Sequence, residues 1–288
     1  MNQTVLFADS SCDLTPALLE KWGIRYADLT FTFDGEDTLY HNYDLTPGEF
    51  YAKMRAGQSC KTAAVNNAAF EEAFEQILKE ENDILYIGFS SGLSTTYHCA
   101  ELAAEELRER YPERKILTVD SLSASSGYAM LLLLTARQLQ QGAGIEQAAD
   151  YAEKLKLSIC HWFTVDELSY LTRGGRVANV IASVGGRLKI KPVMHMDNEG
   201  HLVPVTVARG RKNSLRALAE RYAKLARTQG ASPVYICHAD CLEDAEYLEQ
   251  LLRDEYGTKT DMIFDVGPVI GAHTGPGVVS MFFIGTER

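Results

Sequence analysis

The sequence predicts an α/β protein of two domains, residues 1–150 around a parallel sheet and residues 151–288 as a mixed α/β unit. Three observations point there. Short apolar runs alternate with longer segments of helical periodicity, the order in which strands cross over through helices into a parallel sheet. The alternation loses its regularity after Gly142-Ala143-Gly144, which places a boundary near residues 142–157. A length of 288 residues also suits two domains of roughly 150 each.

In the first half the strand candidates are Thr4–Ala8, Ile24–Phe33, Asp83–Phe89 and Lys115–Val119. Between them, Thr46-Pro47-Gly48-Glu49 opens a helix that runs through about Met54: Thr46 caps, Pro47 suits the first turn and Glu49 completes a capping box. Asn67–Lys79, Thr96–Arg110 and Gly127–Gln141 carry apolar residues at helical spacing. Tyr128–Ala136 is the longest apolar stretch but far shorter than the roughly 20 residues of a bilayer span, so it reads as a buried helix. In the second half, strands are expected near Leu157–Val165, Lys189–Met194 and His201–Val207, at Val234–Cys237 and Met262–Val266, and in the run Val278–Ile284. Helices are expected at Asn213–Thr228 and Leu242–Tyr256. No linker is long enough to hold the halves apart, so the two domains are expected to share a cleft.

Charge and cysteine usage narrow the function classes. Lys+Arg 28 against Asp+Glu 39 gives a net charge of −11, which repels nucleic acid and anionic membranes on average. The first residues lack a basic stretch and reach Asp9 after a short apolar run, so no secretory leader is expected. Six scattered cysteines do not form a disulfide framework, and a reducing cytoplasmic location is expected.

Three strand candidates run into Ser- and Asp-rich turns: Asp9-Ser10-Ser11, the run Ser90 to Thr96, and Asp120-Ser121-Leu122-Ser123. In open α/β sheets the carboxyl ends of strands are where ligands lie. The run Ser90-Ser91-Gly92-Leu93-Ser94-Thr95-Thr96 precedes a helix, whose free N–H groups favour an anion, and hydroxyls add donors to the same oxygen. Capping alone accounts for any one of these residues, but five hydroxyls in seven positions exceed what capping requires. The same segment contains Gly88-Phe89-Ser90-Ser91-Gly92, a G-x-S-x-G pattern between a strand and a helix. It raises a serine esterase in which Ser90 is the nucleophile, His273 the base and an acid such as Asp265 its partner; no HGGG-like oxyanion segment accompanies it.

Gly267 to Gly277 surrounds His273 with glycine and proline and reads as a tight loop that brings backbone and imidazole close to something. Arg173-Gly174-Gly175-Arg176 and Arg209-Gly210-Arg211-Lys212 are basic knots in an acidic chain, either solvated turns or places to recognise a carboxylate, a phosphate or an acidic partner. Cys237-His238 and Cys241 lack a second pair at zinc spacing, so no metal is expected. No P-loop, dinucleotide or zincin motif occurs, and no cofactor is expected.

An ordered set of motifs then resembles the DegV proteins, bacterial fatty-acid-binding partners of fatty acid kinase. It comprises Ala8-Asp9-Ser10-Ser11-Cys12-Asp13-Leu14, Lys61-Thr62, Ser90 to Tyr97, Val119-Asp120-Ser121, Arg173 to Val177, Leu188 to Pro192 and Gly267 to Gly277. The resemblance implies a DegV-like two-domain fold holding a long-chain fatty acid in an apolar tunnel, its carboxylate gripped by Thr62, Ser94 and His273, with Ser91 and Thr95 beside them. It implies that a fatty acid kinase phosphorylates the carboxylate while the carrier, without turnover of its own, holds the acid, with Arg176 and Arg209 engaging the kinase. A non-catalytic acyl sensor is the alternative to a carrier. Two departures stand out: Thr62-Ala63-Ala64-Val65 replaces the family's T-S-Q-P, and Thr95 replaces its usual glycine. The apolar stretch Val177–Val184 is an expected tunnel lining.

Overall fold

The computed structural model describes residues 3–177, 190–230 and 232–288. From the N-terminus, β1 (Thr4–Asp9), a 3-10 turn (Ser10–Cys12), α1 (Pro16–Trp22) and β2 (Ile24–Ala27) lead into β3 (Thr30–Phe33) and β4 (Tyr40–His41). Then follow α2 (Pro47–Arg55), β5 (Cys60–Ala63), α3 (Asn67–Lys79), β6 (Asp83–Gly88), α4 (Thr96–Arg110) and β7 (Ile116–Asp120). Helices α5 (Ser125–Gln140) and α6 (Ile145–Lys156) precede the second half, which runs β8 (Ile159–Thr164), α7 (Leu168–Arg173), β9 (Ile190–Met196) and β10 (Leu202–Arg209). It closes with α8 (Arg211–Leu225), β11 (Val234–His238), α9 (Leu242–Tyr256), β12 (Met262–Asp265), α10 (Pro268–Thr274) and β13 (Val279–Ile284).

The expected α/β class holds. A four-stranded parallel sheet has the order β2-β1-β6-β7, and a separate mixed sheet has the order β10-β9-β8-β13-β11-β12. The capping box of α2 is present, with Thr46 Oγ1 accepting from Glu49 N–H and Glu49 Oε2 accepting from Thr46 N–H. Two expectations need correction. Ile24–Phe33 is two strands in two sheets: β2 pairs parallel with β1, while β3 joins β4 and β5 in a small antiparallel sheet. The break falls where Leu29 N–H turns aside to donate to Ser10 Oγ at 2.9 Å. The Gly267–Gly277 stretch is not all loop, because Pro268, whose ring presets a helical φ, opens the seven-residue helix α10. Gly271 lets that helix pack on α2, since a Cβ there would collide with the Tyr51 hydroxyl. The expected lining stretch lies beyond Val177 outside the described residues; Val177 itself is buried and bridges to Leu202.

Alternation along the mixed sheet separates two cores. Cys160, Trp162, Val234, Ile236, Met281 and Phe283 face α8 and α9 on one side. Their neighbours Ile159, Phe163, Tyr235, Cys237 and Phe282 face the other way, into a core continuous with the first sheet. Helix α5 fills the space between, with Tyr128 to Leu133 buried all round, touching β8, β11 and β13 on one flank and β1 on the other.

Asn42 ties the halves together: its Nδ2 donates to Ser10 O at 3.1 Å and its Oδ1 accepts from Val269 N–H at 3.0 Å, both out of water. We expect Asn42→Ala to lower the unfolding free energy by about 2–4 kcal/mol, seen as a lower urea midpoint at unchanged slope, because two buried backbone groups lose their partners. Asn42→Asp, which keeps only the acceptor, falls between.

Candidate functional site

A cavity of about 430 Å³ lies between the carboxyl ends of the parallel sheet and the inward face of the mixed sheet. That volume is within the roughly 300–1,000 Å³ usual for small-molecule sites. One wall is the loop after β6, with Phe89, Leu93, Ser91, Ser94 and Thr95. A second is α10, with Val269 and Ile270 in its first turn and His273 and Thr274 in its last. The floor is the mixed sheet, where cross-strand register sets Phe163, Ser280 and Cys237 in one row and His161 beside Phe282 in the next.

One end of this cavity is polar. Thr62 Oγ1 lies 2.9 Å from His273 Nε2, a bond between residues 211 apart that joins β5 to α10. Burial, and then the nearby Arg176 guanidinium, lower the His273 pKa from 6.5 to about 4, so the imidazole is neutral near pH 7. Its Nδ1 is buried with no partner among the described residues and lies against Gly174, where a Cβ would stand 2.5 Å away; this close approach explains the first glycine of the Gly174-Gly175 pair. Ser94 Oγ accepts from Thr96 N–H at 3.2 Å and shares a 2.8 Å bond with Thr96 Oγ1, so it closes the first turn of α4 while facing the cavity. Thr95, at the helix start with φ −76°, has ordinary right-handed backbone, so a side chain at that position is accommodated without strain.

A buried carboxylate shapes this loop. Asp9 accepts from Ser11 N–H at 3.2 Å, from Tyr86 Oη at 2.9 Å and from Phe89 N–H at 2.9 Å. Burial raises its pKa, and the bonds from Ser11, Phe89 and Tyr86 pull it back. The ends of β1 and β6 are thereby pinned to each other at the cavity wall.

Of the sequence-derived candidates, Thr62, Ser91, Ser94, Thr95, Arg176 and His273 all line the cavity. Arg176 donates to the carbonyls of Gly174 at 2.6 Å and Leu93 at 3.3 Å, at the rim. There a second cleft, lined by Asp34, Lys61 and Arg173 among others, shares Thr62, Arg176 and His273. Arg209 is elsewhere, exposed at the end of β10. The esterase arrangement is not formed. Ser90 is fully buried, donates to Gly200 O at 2.9 Å and does not line the cavity, while His273 bonds Thr62. Asp265 faces His238 at 3.7 Å. Nucleophile, base and acid therefore sit in three separate environments. Cys237, His238 and Cys241 also diverge: Cys237 lines the cavity, His238 meets Asp265, and Cys241 donates to Val278 O at 3.3 Å.

The sequence reading missed the other end. Ser125 begins α5 with a left-handed φ of 51°, a conformation that costs a non-glycine residue about 1–3 kcal/mol. Its hydroxyl lies 2.5 Å from Asp13 Oδ2 and 3.5 Å from Cys237 Sγ. Burial raises the Asp13 pKa from 3.8 to about 7 against the Ser125 bond and the nearby Gly267 backbone, and its Oδ1 has no hydrogen-bond partner among the described residues. His161 has Nε2 at 2.5 Å from Ser123 Oγ and Nδ1 at 3.4 Å from Arg288 Nη2. Arginine only donates, so Nδ1 accepts and Nε2–H donates to Ser123; burial, then Arg288, hold this imidazole neutral. For His161 alternation along β8 is the available signal, but it marks the residue only once the register is known.

The two shifted groups act in opposite directions. As pH falls from about 6.5 to about 4, the unfolded chain binds a proton at His273 that the folded chain does not, so stability falls. As pH rises from about 4 to about 7, the folded chain keeps an Asp13 proton that the unfolded chain has lost, and stability falls again. We expect the His273 resonances to titrate near pH 4 by NMR. We also expect the stability of the wild type relative to Asp13→Asn to decline steadily between pH 4 and 7 in urea titrations.

Comparison with known proteins agrees with this architecture. The family model described as uncharacterised protein, DegV family, matches residues 3–286. A DegV domain-containing protein of Clostridium perfringens is 38% identical over 289 residues, covering 100% of this chain and 99% of that one. The solved structure of a DegV family protein from Thermus thermophilus, described by its fatty acid binding, superposes with a TM-score of 0.88 at 28% identity, covering 98% of this chain and 99% of that one. A stearic acid-binding protein from Eubacterium ventriosum superposes with a TM-score of 0.88 at 25% identity, covering 99% and 98%. With a matching model along nearly its whole length and relatives this similar, the chain belongs to the DegV family.

Proposed function

We propose that this protein binds a long-chain fatty acid in the cavity and presents its carboxylate, at the Thr62–His273 end, to a fatty acid kinase that supplies the ATP. The observation that carries this reading is the Thr62–His273 pair set with Ser94, Ser91 and Thr95 at one end of a largely apolar cavity. A carboxylate leaving water needs several hydrogen bonds, or its burial costs several kcal/mol. Two hydroxyls, the neutral imidazole and the N–H groups opening α4 supply donors. Each methylene removed from water contributes about 0.8 kcal/mol, so a sixteen-carbon tail contributes on the order of ten before ordering costs. Affinity comes from the tail and orientation from the head. The solved relatives described as fatty-acid-binding share this fold and support the ligand class.

Presentation to a kinase is supported by the second cleft, which reaches the same Thr62 and His273 from the side carrying Lys61, Arg173 and Arg176. A phosphoryl donor approaching there meets cations suited to its charge. Arg209, exposed at the end of β10 and outside this cleft, is a separate basic contact that we assign to the partner. The protein does no chemistry itself in this reading, and six unpaired cysteines fit a cytoplasmic setting. No helix among the described residues is long and apolar enough to cross a membrane.

In delipidated protein, we expect Ser94→Ala and His273→Ala each to weaken fatty acid binding on the order of 10- to 100-fold, from about 1.5–3 kcal/mol per bond to a charged group. Titration calorimetry measures the loss. With a fatty acid kinase and ATP, the wild type yields acyl phosphate and both variants yield less. Wild-type binding and phosphorylation in both variants would exclude this headgroup site.

A further inference from the structure

The end of the cavity away from His273 is not built for a bare hydrocarbon. Ser125 has its hydroxyl against the buried Asp13 carboxyl, so toward the cavity it offers lone pairs. Ser280 lies in register with Cys237 on the neighbouring strand, and among the described residues that weakly bonding thiol is its side-chain partner, so its hydroxyl proton is available to a better acceptor. Ser125, Cys237 and Ser280 are nearly or wholly buried, all three line the cavity, and Ser125 is kept in a left-handed conformation to reach it. An acyl chain packed here would leave these groups facing methylenes.

We propose that this notch recognises a hydroxyl on the ligand, so that the preferred acid carries an alcohol partway along its chain. A hydroxyl donates to Ser125 Oγ and accepts from Ser280 Oγ, one bond of each kind, whereas a methylene makes neither and a keto group only accepts. The wall along α10 sets the spacing. Gly267, at the start of α10, lies against Asp13, and about 9 Å of helix separate it from His273. The hydroxyl therefore sits well down the chain and not beside the carboxylate. This inference rests on the fatty-acid reading above, which it deepens.

The test uses delipidated full-length protein and displacement of a dansyl-labelled fatty acid. The competitors are octadecanoic acid and a series of hydroxyoctadecanoic acids that differ only in hydroxyl position. We expect one position, or two adjacent ones, to compete at least about tenfold more strongly than octadecanoic acid, as sites built to bond a hydroxyl discriminate against analogues lacking it. Ser125→Gly, which keeps the left-handed backbone, and Ser280→Ala should each bring that ratio close to one. Ser280→Ala, within a sheet, decides the matter if the other variant does not fold. The proposal is overturned if no isomer surpasses octadecanoic acid, or if the preference survives both substitutions. Failure of every competitor, octadecanoic acid included, overturns the fatty-acid reading as well; competition by octadecanoic acid with no preferred isomer overturns this one alone.

Discussion

The structure depends on the burial of one helix. Along α5, Tyr128 to Leu133 are apolar on every face, and such a helix is stable only when covered from both sides. The parallel sheet covers one flank and the mixed sheet the other. At about 1.5–3 kcal/mol for each large apolar side chain removed from water, this helix holds the two halves in a fixed relation. The apolar run stops at its N-terminal end, where Ser125, Ser126 and Gly127 replace it. The cavity opens at that end, bounded by both sheets but filled by neither.

The polar end of the cavity follows from a second docking. Helix α10 belongs to the second half of the chain, yet it packs on α2 and β5 of the first, with Gly271 against Tyr51 and Asn42 holding Val269. His273 is brought to Thr62 by that docking. Because the site is shielded and Arg176 is nearby, the imidazole is uncharged near neutral pH, a donor or acceptor instead of a fixed cation. A neutral imidazole beside hydroxyls and a helix N-terminus suits the role we propose for this end, to orient a carboxylate by directed bonds while the apolar wall supplies the bulk of affinity.

The esterase pattern shows how a motif can be local and wrong. Gly88 to Gly92 sits between a strand and a helix, as an elbow would, but α4 begins only at Thr96. Ser90 spends its hydroxyl on Gly200 O, in the other half of the chain. Thr62 shows the converse. The family's proline and amide are missing beside it, yet antiparallel pairing of Thr62 with Phe31 in the small sheet carries its hydroxyl to His273. Sheet pairing, not the neighbouring letters, places that group.

By itself the sequence determined the class of fold, most strands and long helices, the Thr46 capping box, and the loop and histidine that form the polar end of the cavity. These are legible because periodicity, caps and turn residues act over a few positions. It did not reveal α10, whose seven residues are too few for a periodic signal, or the split of Ile24–Phe33, where two sheets compete for one apolar run. It also left Ser125, His161, Cys237 and Ser280 indistinguishable from core. Only the tertiary structure decided which inward side chains meet other side chains and which meet open space. That choice is set by strand register and by the docking of the two halves, contacts between residues tens to hundreds of positions apart that leave no local trace.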